Sequence, residues 1–203
     1  MSKIMFSQNC GLQQAVFDGR KTMTRRVVQK ATVRKAISDS VALNLPIQSC
    51  MMLYCPHHID DILPIAQSYS DVYFSLPLAG IDDEYLQMEY AHKYWTHRGW
   101  SNKMFVASSA MPYAIKLTSV AVESLQAIST QDILREGVEK IDVCAKVESP
   151  VYTFDGCVSP YINARDAFRD LFIRVSGLNA WASNPWVYVY GFELIKNPSF
   201  SVL

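Results

Sequence analysis

The stretch Trp186-Val187-Tyr188-Val189-Tyr190-Gly191-Phe192-Glu193-Leu194-Ile195 is apolar on both of its alternating faces. Successive side chains of a strand point to opposite sides, so a run without a polar face must be covered on both. The spacing therefore predicts a buried closing strand over 186–195, which demands a sheet with material packed against each side. Gly191 within it leaves room for another backbone or a ligand. With 203 residues, half of them hydrophobic and 12% aromatic, the chain can supply that core, and disorder is excluded as a reading.

Other segments fix its surroundings. Tyr113–Val122 reads as a strand whose apolar phase shifts from Ile115/Leu117 to Val120/Val122, predicting a bulge near Ser119. Asn163 caps the clearest helix, with Ala164, Ala167, Phe168, Leu171, Phe172 and Val175 in one stripe and Gly177 as its stop. Ser129-Thr130-Gln131-Asp132 opens a short helix that ends at Gly137, with Glu136 at its end. Lys3–Phe6 reads as a first strand, Gln29–Asp39 as a short helix and Ser40–Gln48 as loop. Met51–Tyr54 and Ile62–Tyr69 read as a strand pair. Leu63, Ile65, Gln67 and Tyr69 share a face of the second, and Pro64 marks it as an edge strand or a bulge. Residues 70–108 are rich in aromatics and lack a clean period apart from a helix over Asp82–His92. They are expected to form an insertion packing over a single domain, 1–203. Asp142–Pro160 reads as irregular. Strands separated by single helices, with bulges and a buried last strand, predict an α+β fold built on a small mixed β-barrel.

Chemistry concentrates in Asp18-Gly19-Arg20-Lys21-Thr22-Met23-Thr24-Arg25-Arg26, which carries four basic side chains and two threonine hydroxyls. It follows a helix that Ser7 or Asn9 can cap, with Leu12, Ala15 and Val16 on one face and Gly19 as the left-handed stop. Lys21 and Thr24, three residues apart, meet only if Lys21-Thr22-Met23 turns or bulges, because a regular strand sends them to opposite faces. A threonine hydroxyl needs a base to act as a nucleophile, and a lysine serves once a dry site or neighbouring cations lower its pKa. Net charge is zero, yet residues 1–35 carry eight Lys/Arg against one acid, +7, and the remainder −7. Such a segment either attracts anions or is paired with acids elsewhere. The five cysteines are odd in number and scattered, which predicts reduced core thiols and no metal site. No apolar run approaches the length of a membrane span, and the apolar start Ile4-Met5-Phe6 is too short for a signal peptide, so the expected location is cytoplasmic.

Gly19-Arg20-Lys21-Thr22-Met23-Thr24-Arg25-Arg26 resembles the signature of the ASCH domain family, which has a PUA-like β-barrel fold. Ile59–Tyr69, Ala110-Met111-Pro112 before the strand, Glu123–Ser129 leading into Asp132–Gly137, and Ser183–Val187 are similar in family order. The likeness skips residues 70–105 and is greatest to the longer ASCH-like proteins of phages and prophages. The family usually has a glycine in the turn before its second strand; here that position is Asp60 or Asp61. Small bacterial members include amidohydrolases that remove the acetyl group from the exocyclic amine of acetylcytidine with a lysine, a threonine and a glutamate. The resemblance implies Lys21 and Thr24 for the first two and Glu136 for the third, with Glu139 nearby as the alternative. It also implies Gly19, Arg20, Arg25, Arg26, Gln67 and Tyr69 as substrate- or RNA-binding residues, with no cofactor. A second reading is a non-catalytic RNA- or nucleotide-binding module, with the arginines and Lys21 gripping phosphate. A third is a phage accessory protein whose aromatic insertion contacts a host protein.

Overall fold

The computed structural model describes residues 2–76, 80–81, 83–142 and 150–201. Along the chain run α1 (Leu12–Phe17), β1 (Met23–Val27), α2 (Lys30–Leu43), α3 (Ile47–Met52), β2 (Ile62–Pro64), α4 (Tyr69–Ser75), α5 (Glu84–Tyr94), β3 (Tyr113–Ser124), α6 (Thr130–Arg135), β4 (Glu139–Ile141), β5 (Val151–Thr153), α7 (Ala164–Ser176), α8 (Leu178–Ala182) and β6 (Trp186–Lys196). The fold is α+β with antiparallel sheets. Two compact units emerge: a smaller one of Met1–Phe6, Asp60–Lys116 and Glu193–Leu203, and a larger one of Ser7–Ile59 and Leu117–Phe192. Strands β3 and β6 pass from one unit into the other.

In the larger unit the ladder runs β1-β6-β3. β1 pairs antiparallel with β6, setting Met23 opposite Gly191, Thr24 opposite Tyr190, Arg25 opposite Val189 and Arg26 opposite Tyr188. The two-sided apolar pattern of β6 is realised as burial: Val187 through Phe192 are all buried. A separate hairpin joins β4 to β5. Helix α7 has the predicted cap, Asn163 Oδ1 accepting from the Arg165 N–H at 2.7 Å, and buries Ala164, Ala167, Phe168, Leu171 and Phe172. Val175, included in the predicted stripe, is exposed.

In the smaller unit β2 pairs with the start of β3. Pro64 has no N–H to give, but its carbonyl accepts from the Ile4 N–H at 2.9 Å. Only an isolated bridge, Ile4 to Ile65, stands where a first strand was expected. Asp60, just before β2, has φ of 71°, the left-handed conformation that glycine adopts most easily. Tyr69, Val72, Leu76, Tyr90, Val106 and Met111 form this unit's own core, to which Trp100 and Phe200 add.

Several expectations are corrected. Among the described residues neither ladder closes into a barrel. β2, β4 and β5 have three residues each, too few to carry the continuous stagger that closure needs. Gly11, left-handed at φ 61°, occupies the N-cap of α1 with no side-chain cap; neither Ser7 nor Asn9 does so. Helix α2 continues to Leu43 and stops at the left-handed Asn44. Ile47–Met52 is helical where loop and strand were expected: the helix starts directly after Pro46, its N-cap, and Cys50 and Met51 are drawn into a core with Ala36. The predicted strand over Ile62–Tyr69 ends at Pro64. Ser68 then accepts from the Asp71 N–H, and Asp71 accepts from the Ser68 N–H, a capping box that starts α4 at Tyr69. The described residues within 70–108 are largely helical. The helix expected over Asp82–His92 runs Glu84–Tyr94 under an Asp83 cap. Asp82, Cys144 and the rest of 143–149 lie outside the described residues.

Candidate functional site

The larger unit brings Lys21 and Arg25 of the basic stretch to one carboxylate, that of Glu136. Helix α1 is capped at its C-terminus by Asp18, and Gly19, at φ 74°, turns the chain back. Three backbone bonds then tie the stretch down. The Lys21 N–H donates to Ala15 O at 2.8 Å, the Thr22 N–H to Arg135 O at 2.9 Å, and the Phe192 N–H to Thr22 O at 2.9 Å. β1 begins only at Met23, so Lys21 stands outside its two-residue alternation.

Lys21 Nζ lies 2.6 Å from Glu136 Oε2 and donates a second bond to the Glu136 backbone oxygen at 2.8 Å. The lysine side chain is 1% exposed and that of Glu136 7%. Glu136 is the C-cap of α6 and is followed by Gly137 at φ 101°. Lys21 thus donates to both the side chain and the carbonyl of one helix-end residue, 115 positions away in sequence. Burial pulls the Lys21 ammonium below its ordinary value. Glu136 opposes this, and Arg26 and Arg25 add to the lowering. A Cβ at Gly137 would meet Leu12 at 3.3 Å and the Lys21 Cβ at 3.6 Å. Gly137→Ala is expected to cost about 1–3 kcal/mol through backbone strain at positive φ, measured as a shift of the urea midpoint.

Arg25 approaches the same carboxylate from β1, with Nη1 3.1 Å from Glu136 Oε1. Its Nε and Nη2 both donate to Glu123 Oε1, at 2.9 and 2.7 Å, Nη2 also donates to Asp132 Oδ2 at 3.2 Å, and Nη1 meets the Met23 sulfur at 3.3 Å. Burial works against the Arg25 charge, but Glu136 and Glu123 more than offset it, so its ionisation is raised. Arg135 joins through Asp132 and donates from Nε to Thr22 Oγ1 at 3.4 Å.

Thr24 is 5% exposed. Directly opposed residues of an antiparallel pair share a face, so Thr24 lies beside Tyr190 and Arg26 beside Tyr188. Burial, then the Cys55 thiol 3.4 Å from its hydroxyl, pushes Tyr190 well above the ordinary phenol value. His57 meets the Tyr190 ring edge-on. Burial lowers Arg26, opposed by Glu136 and Tyr190.

Of the remaining predicted residues, Arg20 pairs at the half-exposed margin with Asp18 at 2.9 Å and with Glu139. Geometry therefore separates the two glutamates: Glu136 faces Lys21 and Glu139 faces Arg20. Gln67 and Tyr69 belong to the smaller unit. Gln67 Oε1 is buried without a hydrogen-bond partner among the described residues. The Tyr69 hydroxyl accepts from the Ala107 N–H at 2.7 Å, and its ring stacks on Tyr94 at 4.0 Å.

Sequence reasoning missed Glu123, Asp132 and Arg135. Asp132 had a local signal, the Ser129 cap, but that signal speaks only for the helix start. Cys10, Cys50, Cys55 and Cys157 are free thiols. Among the described residues no group of three or more His, Cys, Asp or Glu is placed to hold a metal ion, and no helix is long and apolar enough to cross a membrane. Comparison with protein-family models, curated proteins and solved structures returns no match.

Proposed function

We propose that this chain is an ASCH-type, PUA-like amidohydrolase that removes an acyl group from the exocyclic amine of an acetylated cytidine or a related modified nucleoside. The observation that carries the reading is the buried Lys21–Glu136 pair at 2.6 Å, with Thr24 three residues on in the same unit. Neutral Lys21 takes the Thr24 proton as Thr24 Oγ1 bonds to the amide carbonyl carbon. The C–N bond then breaks, the lysine proton leaves with the amine, and the acyl group stays on Thr24 as an ester. Water, deprotonated by Lys21, hydrolyses that ester to the free acid and restores the threonine. Glu136 orients the lysine through both of its oxygen contacts.

The ion pairs also bear on the phosphate-gripping alternative. Arg20, Lys21 and Arg25 are each matched to carboxylates within the unit. That pairing removes much of the free positive potential on which salt-sensitive RNA binding depends.

The test is turnover of N4-acetylcytidine by the purified protein as a function of pH. Because the base must be neutral and burial lowers its ionisation, kcat/KM is expected to rise with pH through a group titrating below the ordinary lysine value of 10.5. Lys21→Arg should abolish both the turnover and that limb. Absence of turnover across a panel of acylated nucleosides, together with salt-sensitive RNA binding, would replace this reading with the binding module.

A further inference from the structure

We infer that Arg25 is a positioning residue that fixes the Glu136 carboxylate against Lys21, and that it is not a ligand for phosphate or substrate. This deepens the proposed function and rests on it for any effect on rate. A guanidinium has five N–H donors in a planar fork. In this structure the five contacts on Nε, Nη1 and Nη2, to Glu123 twice, Asp132, Glu136 and the Met23 sulfur, leave none for an incoming anion. The Arg25 side chain is 1% exposed, so an anion would have to displace an ion pair to reach it. Glu136 is divided between two cations, Oε1 to Arg25 and Oε2 to Lys21. Arg25 in turn is clamped by residues of β3 and α6, which sets the rotation of the Glu136 carboxyl group. A lysine keeps the charge at this position but cannot reproduce the fork.

The charged groups around Lys21 are Glu136 from the end of α6 and Arg25 and Arg26 from β1, with Glu123, Asp132 and Arg135 behind Arg25. Removing the Arg25 charge takes away a neighbour that disfavours the ammonium, and leaves Glu136 Oε1 without its guanidinium partner. Both changes raise the Lys21 ionisation.

The experiment is an NMR titration of the full chain carrying 13C-labelled lysine, with the Lys21 signal identified by its loss in Lys21→Met. In Arg25→Gln the Lys21 midpoint is expected to move to higher pH, and in Arg25→Lys to stay near the native one. In the acyl-nucleoside assay Arg25→Lys is expected to lower kcat by up to about 100-fold, the cost of a reacting group misplaced by about 1 Å, with KM little changed. If Arg25→Gln does not fold, Glu123→Gln loosens the same clamp from a half-exposed position and is expected to lower kcat with KM unchanged. An unmoved Lys21 midpoint in Arg25→Gln, or a loss in KM alone for either conservative variant, would overturn the positioning role. If the native protein turns over no acyl-nucleoside, the proposed function falls while the titration still decides whether Arg25 sets the state of Lys21.

Discussion

Glu136→Gln is expected to destabilise the larger unit by about 3–5 kcal/mol, the cost of removing one partner from a buried ion pair. The loss is large because the amide cannot neutralise what remains: Lys21 Nζ and Arg25 Nη1 stay buried, each within hydrogen-bond range of the group that lost its charge. For a chain of this length that corresponds to a fall in Tm of roughly 6–20 °C. Glu139→Gln is the internal comparison. Its partner Arg20 and Glu139 itself are each about a third exposed, so water compensates the break, and the expected loss is below about 1 kcal/mol. Urea unfolding of both variants, followed by a probe in the larger unit, reads the difference directly. Restoring much of the lost stability with Lys21→Met in the Glu136→Gln background would show that the unpaired lysine carries the penalty. Equal and small effects at 136 and 139 would mean that the buried pair contributes nothing distinctive.

What could be read from the sequence depended on whether the determining interactions were local. α7, the Ser129 cap of α6 and the stop at Gly19 were legible because a capping side chain or a left-handed glycine leaves its mark within a few residues. β6 was legible because a strand buried on both faces has no polar alternation to confuse it. α3 has six residues, too few for a helical period to register, whereas α5 was expected two residues early, over Asp82–His92. The barrel expectation failed because strand length is set by tertiary pairing. Nothing local in Ile62–Tyr69 says that pairing ends at Pro64, except the Ser68–Asp71 capping box, which does say where the helix begins. The site divides in the same way. Gly19, Lys21 and Thr24 stand in one short motif, whereas Glu123, Asp132 and Glu136 come to Arg25 from about a hundred residues away. A charge network of that kind has no spacing to recognise. Its only trace in the sequence was the imbalance between a +7 start and a −7 remainder.

Thr24→Ala is expected to lower kcat/KM for the acyl-nucleoside by about 10^4–10^6-fold while leaving the fold nearly intact. The rate loss is of the size seen when the nucleophile of a coupled catalytic set is removed, because the base alone then has nothing positioned to activate. The stability effect should be small for a separate reason. Thr24 carries no charge and its side chain is small, so the loss is about 1 kcal/mol of strand propensity, hydroxyl burial and packing beside Tyr190. Thr24 therefore differs in kind from Glu136, whose loss would confound chemistry with unfolding. Thr24→Ser keeps the nucleophilic oxygen and should retain measurable turnover. Rapid quenching of the native protein with substrate should reveal one acetyl group on Thr24 by peptide mass spectrometry, since the covalent route passes through that ester. Near-native turnover by Thr24→Ala would exclude the threonine ester and leave Lys21 and Glu136 to activate water directly on the amide. That outcome would keep the proposed hydrolase and change its nucleophile, because the Lys21–Glu136 contact does not involve the Thr24 hydroxyl.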